Sequence, residues 1–544
     1  MGRIRIEVTD IYSDAEIDTA TGFIRFVRQS MNALHFDTRR FVIQRELLFS
    51  TGDSLAADLL VETERNLRGL GFFHRVQVVA VDTLADGSVP IHVRVQETWS
   101  LQTQMSYSQA SNQSRRWSIL LSDVNFLGYG IQVGLGLGEN EDYHYTHFVF
   151  GQRRLFGSHW FLEYRNTDPG DGYSESVVLA RPFYAQDDGF GLEAVAWREQ
   201  FDRRYYLSNA GAAGVDPADI SSLYSQIPVG NTGFRCEALF RISRCGSGRI
   251  WRLGPGLELV DQDFHLSDPV IELSDGRWVN SRFLTDGETP LTRERGLGVF
   301  PLVCLESRGR TWAKARFTLK YGPVEDIPLD PQWDLRIGAS GKWAGSTIPG
   351  SHRYLLANEI SDWSRLGPGL LLLQGASQVV FGAPEVNNSS HDLLCGWFGH
   401  HYGDESAPGL LTHRTTRLIV EAAWGDEMLG TRALTLGLIR GLRTLGFNGM
   451  AGDRLYRWNA EHGIILPQEL MGLMRLGVAG FYGGGLAWWQ GEEVSNEDIR
   501  HELGFGLRVG PSRSGNAEVA RLDLTWALDE TGGPTLTAVT RGLF

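Results

Sequence analysis

The chain has 544 residues, of which 42% are apolar and 21% charged, with a net charge of −14. That is longer than one ordinary core holds, the acidic balance argues against a nucleic-acid binder, and the apolar content argues against disorder. No stretch approaches the ~18 consecutive apolar residues of a transmembrane helix. Membrane strands need only alternate, which leaves a mean hydropathy close to that of a soluble protein.

Met1-Gly2-Arg3 runs directly into a strand pattern, without the charged and apolar regions of a signal peptide, so an exported protein would carry its leader outside this chain. Ile4, Ile6 and Val8 alternate with Arg5 and Glu7 and predict a strand. Residues 21–34 are amphipathic at helical spacing, and Arg39 to Phe49 fits a second helix. After the turn Ser50-Thr51-Gly52-Asp53, either Asp53 or Ser54 is placed to cap a helix through Leu55, Leu59, Leu60, Leu67 and Leu70 that stops at Gly71. Two strands follow, Val76–Val81 and Val89–Val95, around the Asp86-Gly87 turn.

From Trp99 onward strict alternation takes over, broken by Gly, Asn, Asp and Pro turns. Leu503, Phe505, Leu507 and Val509 alternate with Glu502 and Arg508; Leu522, Leu524, Trp526 and Leu528 alternate with Arg521, Asp523 and Thr525. A soluble sandwich of this length would normally split, whereas the stretch has room for about sixteen tilted membrane strands of ~10 residues each. Trp117, Trp160, Trp197, Trp343, Trp488 and Trp489 fit interfacial girdles, and the terminal Phe544 closes an alternating strand. The expected fold is mainly β: a transmembrane antiparallel barrel over 99–544, preceded by one small α/β domain over 1–98.

The four cysteines, Cys236, Cys245, Cys304 and Cys395, show no metal-ligand spacing. Cys236 and Cys245 are near enough in sequence to close a loop in an oxidising compartment; four free thiols is the alternative. His400, His401 and Asp404 form the one tight candidate metal cluster, in a context that reads as a strand end entering a solvated loop. No nucleophile elbow, P-loop or dinucleotide fingerprint occurs. Neither catalysis, nor a metal, nor a cofactor is expected.

Residues Thr51-Gly52-Asp53, the run Leu67-Arg68-Gly69-Leu70-Gly71-Phe72-Phe73-His74-Arg75-Val76-Gln77-Val78, and Val93-Arg94-Val95-Gln96-Glu97 together resemble a POTRA (polypeptide-transport-associated) domain with an insertion near 12–38. The second zone resembles the barrel of the BamA, TamA and two-partner-secretion transporter superfamily, also known as bacterial surface antigen. Asp123 to Gly130 is similar to its early hairpin, and Ile439-Arg440-Gly441-Leu442 to the Val-Arg-Gly-Phe/Tyr motif on a loop that folds into the lumen. Glu461 stands where the resemblance places a wall carboxylate facing that Arg, and Phe481, Gly483 and Gly485 where it places Phe-x-Asp-x-Gly. A bidentate guanidinium–carboxylate contact would pin the loop. Leu442 replaces the aromatic and Gly483 the Asp, so Arg440 would have one acidic partner instead of two and a more loosely held loop.

The resemblance implies an outer-membrane factor whose POTRA domain stands in the periplasm and receives unfolded or partly folded outer-membrane or secreted polypeptides, which the barrel inserts or passes. Periplasmic chaperones or accessory lipoproteins and the lipid bilayer are the further partners it implies. The alternative is a passive pore or structural barrel without a client.

Overall fold

The computed structural model describes residues 1–109, 116–139, 144–168, 172–206, 220–264, 270–273, 278–280, 295–321, 324–348, 352–382, 388–402, 413–428, 432–437, 440–445, 449–470, 472–513, 519–529 and 533–540. The N-terminal part is a three-stranded mixed sheet. Strand β1 (Ile4–Thr9) runs parallel to β3 (Ile91–Glu97), which pairs antiparallel with β2 (Phe73–Ala80). Between β1 and β2 lie α1 (Asp14–Asp18), α2 (Gly22–Leu34), α3 (Arg40–Gln44) and α4 (Ala57–Gly69). Alternation decides the buried face: Val76 and Val78 of β2 and Ile91, Val93 and Val95 of β3 pack on Ile43, Leu60, Leu67, Phe72 and Phe73.

Two local expectations are corrected. The helix expected from Arg39 to Phe49 is only the short α3. Neither Asp53 nor Ser54 caps α4, whose N-cap is Ala56 without a side-chain bond; the Asp53 carboxylate accepts the Ser50 N–H instead, at 2.7 Å. Gly52 and Gly71 both adopt positive φ, the conformation for which glycine has no steric penalty.

The remainder is one closed antiparallel barrel of twenty strands, not about sixteen. They are Leu101–Gln109, Arg116–Asp123, Ile131–Glu139, His144–Gln152, Phe161–Asp168, Tyr173–Arg181, Phe190–Tyr206, Ile220–Arg241, Arg249–Phe264, Gly296–Gly309, Gln332–Gly341, His352–Leu366, Gly369–Phe381, Asn388–Tyr402, His413–Asp426, Arg454–Leu470, Met474–Trp488, Arg500–Pro511, Ala520–Ala527 and Thr535–Val539. The count was underestimated because the connections at one end are short: Gly367-Pro368 alone joins two strands. The first and last strands close the ring through four residue pairs, Gln109 with Leu536 to Ser106 with Val539. Neighbouring strands elsewhere share up to seventeen.

The wall is inside out relative to a soluble barrel. On Arg500–Pro511, Leu503, Phe505 and Leu507 are at least half exposed, whereas Glu502 and Arg508 are fully buried. On His413–Asp426, Leu418 and Val420 face out and Arg417 and Glu421 are buried inside. An apolar exterior around a charged interior is stable only where hydrocarbon surrounds the wall. No helix among the described residues is long and apolar enough to cross a membrane; the strands do so.

Candidate functional site

The connection between His413–Asp426 and Arg454–Leu470 carries a short hairpin, Leu434–Leu436 with Met450–Gly452, and then turns into the lumen. Leu442 is buried with Ala423, Leu434, Leu436, Leu455 and Ala487. In place of the expected aromatic it therefore gives the loop an apolar foothold. Gly441 has φ +115, and a Cβ there would lie 2.5 Å from Arg457 Nη1, so the close approach requires glycine.

Two arginines anchor this loop. Arg440 donates from Nε to Glu421 Oε1 at 2.7 Å and from Nη2 to Glu421 and Asp392; Arg457 donates to the other oxygen of Glu421. Arg440 thus has two acidic partners and does not meet Glu461. Arg443, which the motif reading passed over, donates from Nη1 to Glu502 Oε1 at 2.9 Å and from Nε to Asp523 Oδ2 at 2.8 Å. Its own N–H donates to Glu502 Oε2 at 2.6 Å, and its guanidinium lies 3.8 Å from the Phe481 ring centroid.

Glu461 belongs to the wall. It accepts from Arg508 Nη2 at 2.6 Å and from Arg417 Nη1 at 3.0 Å, and Arg508 also reaches Asp523. Among the named groups five guanidiniums (Arg417, Arg440, Arg443, Arg457, Arg508) face five carboxylates (Asp392, Glu421, Glu461, Glu502, Asp523), so each of these charges has an opposite partner, as the desolvation cost of isolated ions demands. Phe481 supports Arg443 and Gly485 lies against Leu436 and Arg457. Gly483 lies between Asn459 and Glu502 and touches neither loop arginine. Ile439 and Phe544 lie outside the described residues.

The opposite end is crossed by the N-terminal domain. The wall's turns hold it from several sides. Arg154 donates bidentately to the buried Glu46 at 2.7 and 2.8 Å, and Arg68 of α4 does the same to Asp326 at 2.8 Å for both bonds. Lys314 reaches Glu64 at 2.7 Å, the Gln186 N–H donates to Glu62 at 2.6 Å, and the Tyr12 hydroxyl donates to the Gly472 carbonyl at 2.7 Å. The Thr98 N–H bonds Phe72 of the domain, whereas the Trp99 N–H bonds Arg513 of a wall turn. Burial disfavours the charged Glu16 carboxylate, but the Ser13 N–H and hydroxyl, followed by Arg513, outweigh it and hold its pKa down to about 2. Burial, aided by Arg513 and Arg75, pushes the His74 imidazole down to about 3.

The hairpin Trp312–Ala315 with Glu325–Pro328 supplies Lys314 and Asp326. Its connection places Phe317 and Tyr321 against Ile465 and Val519 inside the wall, and Arg417 donates to the Thr318 carbonyl at 3.4 Å. Polar contacts therefore run from α4 through Asp326 and this connection to Arg417, Glu461, Arg508, Asp523 and finally Arg443. His400, at the end of Asn388–Tyr402, bonds Thr318 Oγ1 at 3.2 Å; the His401 side chain and Asp404 lie outside the described residues. All four cysteines are free thiols.

Glu502 and Asp523 were legible as inward charges, since each alternates with outward apolar residues along its strand. Which arginine of Ile-Arg-Gly-Leu-Arg meets which carboxylate was not, because the loop's path is not periodic.

Fold and site together define a membrane-spanning β-barrel with a pinned lumen loop and a covered mouth. No family model matches the chain, and no curated protein matches it. Among solved structures it is similar to BamA from Haemophilus ducreyi lacking POTRA domains 1–3, at 10% identity over 99% of this chain and 84% of that one, with a TM-score of 0.40. It is also similar to CdiB from Acinetobacter baumannii (11% identity, 99% and 73% covered, TM-score 0.42) and CdiB from Escherichia coli (11% identity, 99% and 76% covered, TM-score 0.43).

Proposed function

We propose that this chain is a polypeptide-handling barrel of the bacterial outer membrane, with residues 1–98 a POTRA-type domain on the periplasmic side and residues 99–544 the wall. The observation that carries the reading is the seam. Four residue pairs close the wall where its first strand leaves the N-terminal domain. In that domain β3 is central, so among the described residues β1 and β2 each keep one edge free of strand partners. An extended client adds to such an edge through main-chain hydrogen bonds with little demand on sequence. A weakly paired seam offers it a route sideways into the bilayer, and the lumen a route through it. Clients of this kind are unfolded or partly folded outer-membrane or secreted chains, delivered by periplasmic chaperones or accessory lipoproteins.

Quantitative outer-membrane proteomics after depletion tests this. Loss of many barrel proteins together marks a general assembly factor; loss of one surface or secreted protein marks a dedicated transporter. An unchanged proteome would overturn the proposal in favour of a passive pore.

A further inference from the structure

Helix α2 lies within the segment that the POTRA resemblance leaves as an insertion, and the lumen network does not use it. None of its thirteen residues is buried. Phe23, Phe26 and Leu34 are 62%, 64% and 71% exposed, and at 100° per residue they fall on one stripe. The same helix has no acidic residue and carries Arg25 and Arg28 on its polar side. A soluble helix turns such a stripe into a core; here the polar side is the one engaged. Asn32 Nδ2 donates to the Tyr12 carbonyl at 2.8 Å and its Oδ1 accepts the Tyr12 N–H at 3.1 Å, while the Arg28 guanidinium lies 5.3 Å from the Tyr12 ring centroid.

The helix is held along the rim of the wall on both sides of the seam. Midway along it, Arg28 stands against Gly472 in the turn between Leu470 and Met474, both exposed apolar residues of the wall. Beyond its C-terminal end, the Arg39 N–H donates to the Gly128 carbonyl at 2.9 Å, in the turn that exposes Phe126, Leu127 and Tyr129. Leu127 and, in the next such turn, Phe156 adopt positive φ, a strained conformation for bulky residues, and Phe156 is 94% exposed. Arg39, Arg40 and Arg45 are exposed in the same region. The apolar stripe of α2 thus continues the apolar exterior of the barrel at its periplasmic rim, fringed by arginines.

We propose that α2 is an interfacial helix, its Phe23–Phe26–Leu34 stripe inserted at the headgroup level of the inner leaflet beside the seam, with the neighbouring arginines against anionic phospholipid. Buried apolar area and attraction to anionic headgroups are the two terms that hold such a helix on a bilayer. The inference rests on the reading of the wall as membrane-spanning.

The test places a nitroxide on the full chain, with its four cysteines replaced by serine, at position 26, at 135 on the outward face of the wall, or at 58 on α4. Each protein is reconstituted in phosphatidylethanolamine/phosphatidylglycerol vesicles, and a heat-modifiable gel shift confirms folding. Collisional access to oxygen and to a polar nickel chelate is then measured. The expected oxygen-to-nickel ratio is severalfold higher at 26 than at 58, shallower than at 135, and reduced when phosphatidylcholine replaces phosphatidylglycerol. A label at 34 repeats the test if the one at 26 prevents folding. If 26 behaves like 58 while 135 remains in lipid, the interfacial helix is wrong and the barrel reading stands; if 135 also behaves like 58, the barrel reading itself has failed. Spin–spin broadening at 26 would assign the stripe to a second copy and overturn the proposal.

Discussion

Arg443 shows how much rests on single side chains in the lumen. It supplies Glu502 with its guanidinium and its backbone N–H, and shares Asp523 with Arg508. Arg443→Ala leaves a fully buried Glu502 carboxylate without its guanidinium. Breaking one side of a buried ion pair costs about 3–5 kcal/mol. The expected outcome is a folded form that loses its heat-modifiable mobility at lower temperature, with residues 427–453 newly open to external protease; unchanged values for both would refute the lock. At this scale the residue types were legible and the pairing was not. An Ile-Arg-Gly motif followed by Glu461 predicted a partnership, but Glu461 had nearer suitors in Arg417, on the adjacent strand, and Arg508, two strands away on the same wall. Side-chain charge is written in the sequence, whereas the reach of an aperiodic loop is set only when the wall has closed.

Among the elements, the seam and the small domain invite separate tests. Ser106 and Val539 are directly opposed, and opposed residues of an antiparallel pair lie within disulfide reach. In a cysteine-free background, Ser106→Cys with Val539→Cys should cross-link under oxidation and stop client insertion until reduced. If insertion continues with the seam locked, the lateral route is wrong. The domain makes a pH prediction through His74. Its folded pKa, about 3, lies below the ordinary value of 6.5, so between these two values the unfolded state binds the extra proton. Stability is therefore full above pH 6.5 and falls as pH drops toward 3. Amide exchange of β2, corrected for intrinsic rate, should be faster at pH 5 than at pH 7.5; equal protection would show that the imidazole is not held neutral. Strands and their inward faces were readable because a period of two survives any tertiary context. The short α3 and the uncapped start of α4 were not, because helix ends depend on local bonds such as Ser50 to Asp53 that compete with capping.

For the molecule as a whole, the N-terminal domain stands across one mouth of the barrel and the loop enters its lumen. Glu46→Gln with Asp326→Asn removes the carboxylate charge from two bidentate clamps between domain and wall. Conductance across a planar bilayer should rise, with longer openings, while the wall stays intact by its gel shift. No change in conductance would mean that the domain does not limit passage. The strand count could not be read from length, since hairpins as tight as Gly367-Pro368 pack twenty strands where looser spacing leaves room for about sixteen.

Closure of the ring also has a kinetic meaning. Met105 and Thr540, which bond across the seam, are 435 residues apart, so the contact that completes the wall is among the most non-local the chain makes, and the entropy of closing so long a loop must be met before the seam repays it. Until then both edge strands stand open, with their backbone groups unsatisfied and prone to pair with whatever strand is near. Its own maturation is therefore a race between finding its last strand and finding someone else's.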